Sequence, residues 1–158
     1  MNDPAVIRLS WSEVITAAMV GVFRQVTNLR DGRADAYGAS DDRGWQLHIE
    51  GCCGEMAFAK LSGLYWSGSL GNLGADDVHL YQVRTTSRDD GRLIVHPGDP
   101  DDRVFVLVTG RAPTFRVRGW VRGIDAKNRE WWHDPSNGRP AFFVPQSALR
   151  SIETIEAK

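Results

Sequence analysis

The sequence predicts an α+β fold: two N-terminal helices followed by a mainly antiparallel or mixed sheet. Three observations carry that prediction. Residues 10–29 repeat apolar side chains at helical spacing behind a capping signal. Residues 45–64 carry a second apolar segment whose positions suit a buried helix better than a strand. Beyond Gly71 the period changes to the two-residue alternation of strands.

The first helix opens at Ser10-Trp11-Ser12-Glu13, where Ser10 is an N-cap and Glu13, three residues on, completes a capping box. Val14, Ile15, Ala18, Val22 and Val26 then form an apolar face, and the helix is expected to end between Asn28 and Gly32. Residues 30–44 are rich in Gly and Asp and read as a loop. From Trp45, the residues Leu47, Ile49, Cys52, Cys53, Met56, Ala57 and Ala59 suit a buried helix. Gly51 and Gly54 each weaken it by about 1 kcal/mol relative to Ala, unless another backbone has to come close there.

Strands follow at Tyr81–Thr86, Leu93–Val95, Arg103–Thr109, Thr114–Val121 and Ala141–Val144, with a last helical turn at Gln146–Arg150. The unbroken apolar run Val104–Val108 fits a central strand covered on both faces. At 158 residues the chain fits one domain with a core of its own. It divides into a helix at 10–29, a loop at 30–44, a core at 45–121 and a C-terminal strand and tail at 122–158.

A net charge of −1 marks no strongly basic nucleic-acid binder, so charge placement matters more than the total. The two cysteines, Cys52 and Cys53, are neighbours and give no disulfide framework, which suits a reducing cytoplasm. No basic stretch followed by a long apolar run occurs, so neither a signal peptide nor a membrane span is expected.

The chemistry-bearing residues gather around strand 81–86. Gln82, Arg84 and Thr86 share one face, and Tyr81, Val83 and Thr85 the other. Asp76-Asp77 lies just before the strand, and Glu55 lies on the preceding helix. Two carboxylates from different elements, beside a polar side chain and a cation, suit a hard divalent metal. The plainer reading is a turn of two aspartates before a solvated strand face.

These residues resemble the PD-(D/E)XK nucleases, the restriction-endonuclease-like fold, and among them small phage-encoded members. The resemblance covers Trp45 to about Val121. Gly51-Cys52-Cys53-Gly54-Glu55-Met56-Ala57 is similar to the family's Glu-bearing helix, and Asp77-Val78 to its Asp element. Gln82-Val83-Arg84 occupies the (Asp/Glu)-X-Lys place. The resemblance implies a DNA nuclease using Mg²⁺ or Mn²⁺ in the cytoplasm, of a host cell if phage-encoded, with a homodimer as one expected state. It implies Asp77 as metal ligand and Glu55 as a second, direct or through water. Gln82 would orient water or ligate weakly, and Arg84 would neutralise the scissile phosphate. Two departures stand out. Gln82 brings no charge where the family has Asp or Glu. Arg84 replaces Lys and cannot transfer protons near neutral pH. A catalytically inactive relative that binds nucleic acid or a protein partner is the alternative.

Arg116, Arg118, Trp120 and Arg122 alternate along the strand 114–121 and just past it, and are expected on one face, where three guanidinium groups and an indole could track phosphates and stack a base. Cations that protect an edge strand would look the same. His48 and Cys52, four apart, lack two further ligands and read as core. Trp131 and Trp132 suit an interface, which is the third reading: an interaction domain.

Overall fold

A computed structural model describes residues 4–33, 43–70, 76–135 and 138–155. Its elements are β1 (Ala5–Arg8), α1 (Trp11–Arg30), α2 (Gly44–Ser62), β2 (Tyr81–Thr86), β3 (Leu93–Val95), β4 (Val104–Arg111), β5 (Thr114–Arg122), α3 (Gly123–Ala126), β6 (Trp132–His133) and β7 (Ala141–Val144). The α+β class and the order of helices before the main strands are as expected. The short strand β1 ahead of α1 is an addition. Most of the loop expected at 30–44 lies outside the described residues.

Four strands make the main sheet in the order β1-β5-β4-β2, with β2 parallel to β4 and the other pairs antiparallel. The expected "mainly antiparallel or mixed" sheet is thus mixed. Strands β3, β7 and β6 form a second, antiparallel sheet. Helix α2 lies on one face of the main sheet with α1 packed against it, and the second sheet packs against the other face. Helices therefore account for only one of the two buried faces, and the core is double. On the helix side, Cys52, Cys53, Ala57 and Phe58 meet Val83, Val106, Val108, Phe115 and Val117. On the other, Phe105, Leu107 and Val121 meet Leu93, Val95 and Val144. Two opposed cores explain why β4 reads as an unbroken apolar run: alternate residues go to opposite layers, and both are dry.

The capping box at Ser10 is present, with Glu13 N–H donating to Ser10 Oγ at 3.2 Å and Ser10 N–H to Glu13 Oε2 at 2.6 Å. Two glycines fix the helix layer. A Cβ on Gly21 would sit 2.6 Å from Ile49 Cα, so α1 and α2 touch backbone to backbone. A Cβ on Gly54 would sit 2.0 Å from Thr85 Oγ1, so α2 lies directly on β2. Gly51 meets nothing within 4 Å.

Candidate functional site

The candidate site lies where α2 crosses the open edge of β2. The face of β2 turned to the helices holds Tyr81, whose ring meets Phe58 edge-on at 5.4 Å, then Val83 and Thr85. Gln82 and Arg84 point the other way, as their alternation predicts. Before them a tight turn closes the chain. Tyr81 N–H donates to Val78 O at 2.9 Å and Val78 N–H to Tyr81 O at 3.2 Å, leaving His79 and Leu80 at the tip, with His79 at φ 53°. This turn makes up the short spacing between Asp77 and Gln82. It also delivers Asp77 to the strand's edge, where Asp77 Oδ2 accepts from Val83 N–H at 2.7 Å.

Glu55 reaches the same place from α2, with a side chain only 5% exposed. Its two oxygens are gripped by Arg24 of α1: Nη1 donates to Oε1 at 2.6 Å and Nη2 to Oε2 at 3.0 Å. Trp66 Nε1 adds a third bond to Oε2 at 2.9 Å. Burial opposes the charge on Arg24, but the hydrogen bonds and charge of Glu55 outweigh it and raise the guanidinium's pKa further.

Asp77 has the opposite balance. Burial of its carboxyl, and then the nearby charge of Glu55, push it up to about 7. The Val83 N–H and the charges of Arg84 and Arg24 only partly counter that rise. Asp77 is partly exposed as a residue, and its carboxyl end lies deep against the strand. The two carboxylates are thus near enough to feel each other's charge, and Asp77 is held at the edge of ionisation.

The other two predicted residues are near but engaged on the far face. Gln82 Nε2 donates to Asp76 Oδ1 at 2.9 Å, and Arg103 Nε donates to the same oxygen at 2.9 Å. Arg84 Nη2 donates to Asp99 Oδ2 at 3.2 Å, and its guanidinium lies 5.2 Å from the centre of the Phe105 ring. Asp77 feels both Glu55 and Arg84, so the edge of β2 is where the two faces meet electrostatically. Arg24 and Trp66 were missed by the motif. The available signal was Arg24 itself, the one ionisable residue of α1 between Glu13 and Arg30.

The expected Arg116-Arg118-Trp120-Arg122 stripe is not one face. A β-bulge between Leu107 and Val108 makes Leu107 pair with Gly119 and Val108 with Val117, leaving Arg118 as the extra residue of β5. Alternation inverts there. Val117 belongs to the helix-side core and Val121 to the other. Arg116 and Arg118 turn towards Asp89, and Arg118 Nε also donates to Thr109 Oγ1 at 2.7 Å. Trp120 goes to the helix side, where Nε1 donates to Ser151 O at 3.0 Å and Arg150 stacks 4.9 Å from the ring centre. Arg122 pairs with Asp125 at 3.0 Å. Nor is β5 an edge strand over its first half, since it lies between β1 and β4.

Both cysteines are fully buried, and burial first of all raises their thiols to about 12 for Cys52 and about 11 for Cys53, so neither is a ready nucleophile. His48 hydrogen-bonds Asn28 at 3.0 Å. Among the described residues, no three His, Cys, Asp or Glu side chains gather as a ready metal cage. No described helix is long and apolar enough to cross a membrane. No family model, curated protein or solved structure matches the chain.

Proposed function

We propose that the chain is a metal-dependent nuclease of the PD-(D/E)XK kind, hydrolysing phosphodiester bonds in DNA with Asp77 and Glu55 as its acidic pair. One observation carries this reading: the Asp77 carboxyl, deep at the edge of β2 and raised to about 7 by burial and by Glu55. Of the pair, Glu55 is already met by Arg24, and Asp77 keeps the demand for positive charge. A hard divalent cation such as Mg²⁺ or Mn²⁺ answers it with oxygen ligands. Asp77 would hold the cation, with Glu55 contributing directly or through water and Gln82 orienting a water. Such a cation supplies an acidified water and a counter-charge for the phosphate.

The chain's own residues do the rest. Asp77 would hold such a cation in its ionised form, its proton having passed to solvent. Arg84, on exchanging Asp99 for phosphate, offers a two-pronged contact to the non-bridging oxygens. Arg84 carries no proton in that role, because guanidinium does not titrate in this range.

A second reading has its own observation. Both Glu55 oxygens are already taken by Arg24 and Trp66. A fork of that kind favours a non-catalytic relative that uses the scaffold to bind nucleic acid or a protein.

The test is cleavage of supercoiled plasmid and of single-stranded DNA with Mg²⁺ or Mn²⁺, beside Asp77→Ala. Metal-dependent cleavage that disappears in Asp77→Ala is the expected result. Salt-sensitive DNA binding without cleavage moves the conclusion to the non-catalytic relative. Cleavage that survives in Asp77→Ala places the chemistry elsewhere.

A further inference from the structure

We propose that α1 joins two copies of this chain through an antiparallel helix pair. A surface helix normally turns polar residues to solvent. On α1 the outward face is apolar instead. Trp11 is 65% exposed, Ile15 64%, Met19 53%, Phe23 51%, Val26 47% and Leu29 61%. At 100° per residue these six fall within an arc of about 120°, as one stripe along the whole helix. Ala17, Gly21 and Gln25 make the buried opposite face against the rest of the molecule.

The stripe fits a second copy of itself. A two-fold axis crossing the helix near Val20–Gly21 sets Trp11 beside Leu29 of the second copy, Ile15 beside Val26 and Met19 beside Phe23, and each contact occurs twice. The same arrangement carries the exposed Arg30 onto the second copy's Trp11, a favourable cation–aromatic pair. The stripe offers no charge to select an oppositely charged partner. Between Glu13 and Arg30 the helix has one ionisable residue, Arg24, and Glu55 occupies it. The exposed parts of the six side chains come to about 600 Å² per copy, taking ~100–150 Å² for each aromatic and ~60–100 Å² for each aliphatic. Per copy, ~600 Å² is at the top of the range of ordinary monomer patches; doubled, ~1,200 Å² is at the lower bound of specific interfaces.

The experiment is sedimentation equilibrium of the full chain over about 1–100 µM, the range where an interface of this size holds. The expected species is twice 17.6 kDa. Met19→Glu, placed beside the axis, is expected to give the 17.6 kDa species with an unchanged circular dichroism spectrum. Because Met19→Glu could also disturb the fold, a second measurement stands beside it. Under mild oxidation the Ile15→Cys/Val26→Cys double variant should cross-link between chains far more completely than either single variant, since Cys52 and Cys53 are buried. A wild-type monomer throughout the range overturns the proposal, whether because α1 faces a different protein or no partner. So does a dimer that tolerates Met19→Glu, or single cysteines that cross-link as well as the pair. The nuclease reading is independent of this outcome, because Asp77→Ala leaves the stripe untouched.

Discussion

Asp77→Asn separates a functional carboxylate from a structural one. In the unfolded chain Asp77 ionises near its ordinary 3.8, whereas in the fold it keeps its proton until about 7. Between those values the folded state binds more protons, so stability falls as pH rises, and above 7 the full penalty is present. A rise from 3.8 to about 7 corresponds to at most ~4 kcal/mol at 1.36 kcal/mol per pH unit, and screening at the open edge of β2, where the residue is partly exposed, brings this towards ~2. Asparagine keeps an oxygen for the Val83 N–H bond but cannot ionise. The variant should therefore gain about 2–4 kcal/mol on wild type between pH 4 and pH 8, or about 5–15 °C in Tm for a chain of this size. Thermal unfolding of both proteins across that range reads the difference, in which every other titrating group cancels. Millimolar Mg²⁺ should raise the Tm of wild type at pH 8 and leave Asp77→Asn unmoved. A Tm gap that stays constant from pH 4 to pH 8 would refute the reasoning, because Asp77 would then ionise as freely folded as unfolded.

Three further outcomes follow from the helix layer. Arg24→Met strands Glu55 as a buried anion beside Asp77 and should destabilise by about 3–5 kcal/mol in urea titrations, with most of the loss recovered by adding Glu55→Gln. Gly54→Ala should lose about 1–3 kcal/mol through its clash with Thr85, while Gly51→Ala, three residues away in open space, should gain about 1 kcal/mol from helix propensity alone; opposite signs in one denaturation experiment check both. Ser10→Ala should lose about 1 kcal/mol by opening the capping box, again read from urea midpoints.

The element order was legible because the signals that specify it are local. The Ser10–Glu13 box is four consecutive residues, and it starts α1 where expected. Strands β2, β3, β4, β5 and β7 begin within a residue of their predicted starts, since alternation and turn residues define them without reference to anything distant. Even the tension over Gly51 and Gly54 was visible, though not its resolution. Which glycine serves a close approach depends on Thr85, thirty-one residues beyond Gly54, and no local pattern carries that. The bulge in β5 was hidden for the same kind of reason. Residues 115–121 alternate cleanly as a string, and the inversion exists only because β4 presents one residue fewer across the ladder. The second sheet escaped too, as β3 is separated from β6 and β7 by long stretches of chain and their pairing is not local.

For the site, the motif supplied Asp77 and Glu55 but not what surrounds them. Asp77 lies where the turn's spacing demands, because a two-residue tip at His79-Leu80 leaves its carboxyl no strand-edge donor nearer than Val83 N–H. Glu55 owes its state to Arg24, which comes from another helix, and a motif confined to α2 and β2 could not include it. That omission bears on function. Asp77 rises first because its carboxyl is buried and second because of the charge of Glu55, which the Arg24 fork holds in place. On the nuclease reading proposed above, a cation would meet Asp77 first and could claim Glu55 only in competition with Arg24. The departure of Gln82 from the acidic residue of the motif has a local reason of its own: on the far face its amide donates to Asp76, where a carboxylate would meet a like charge instead.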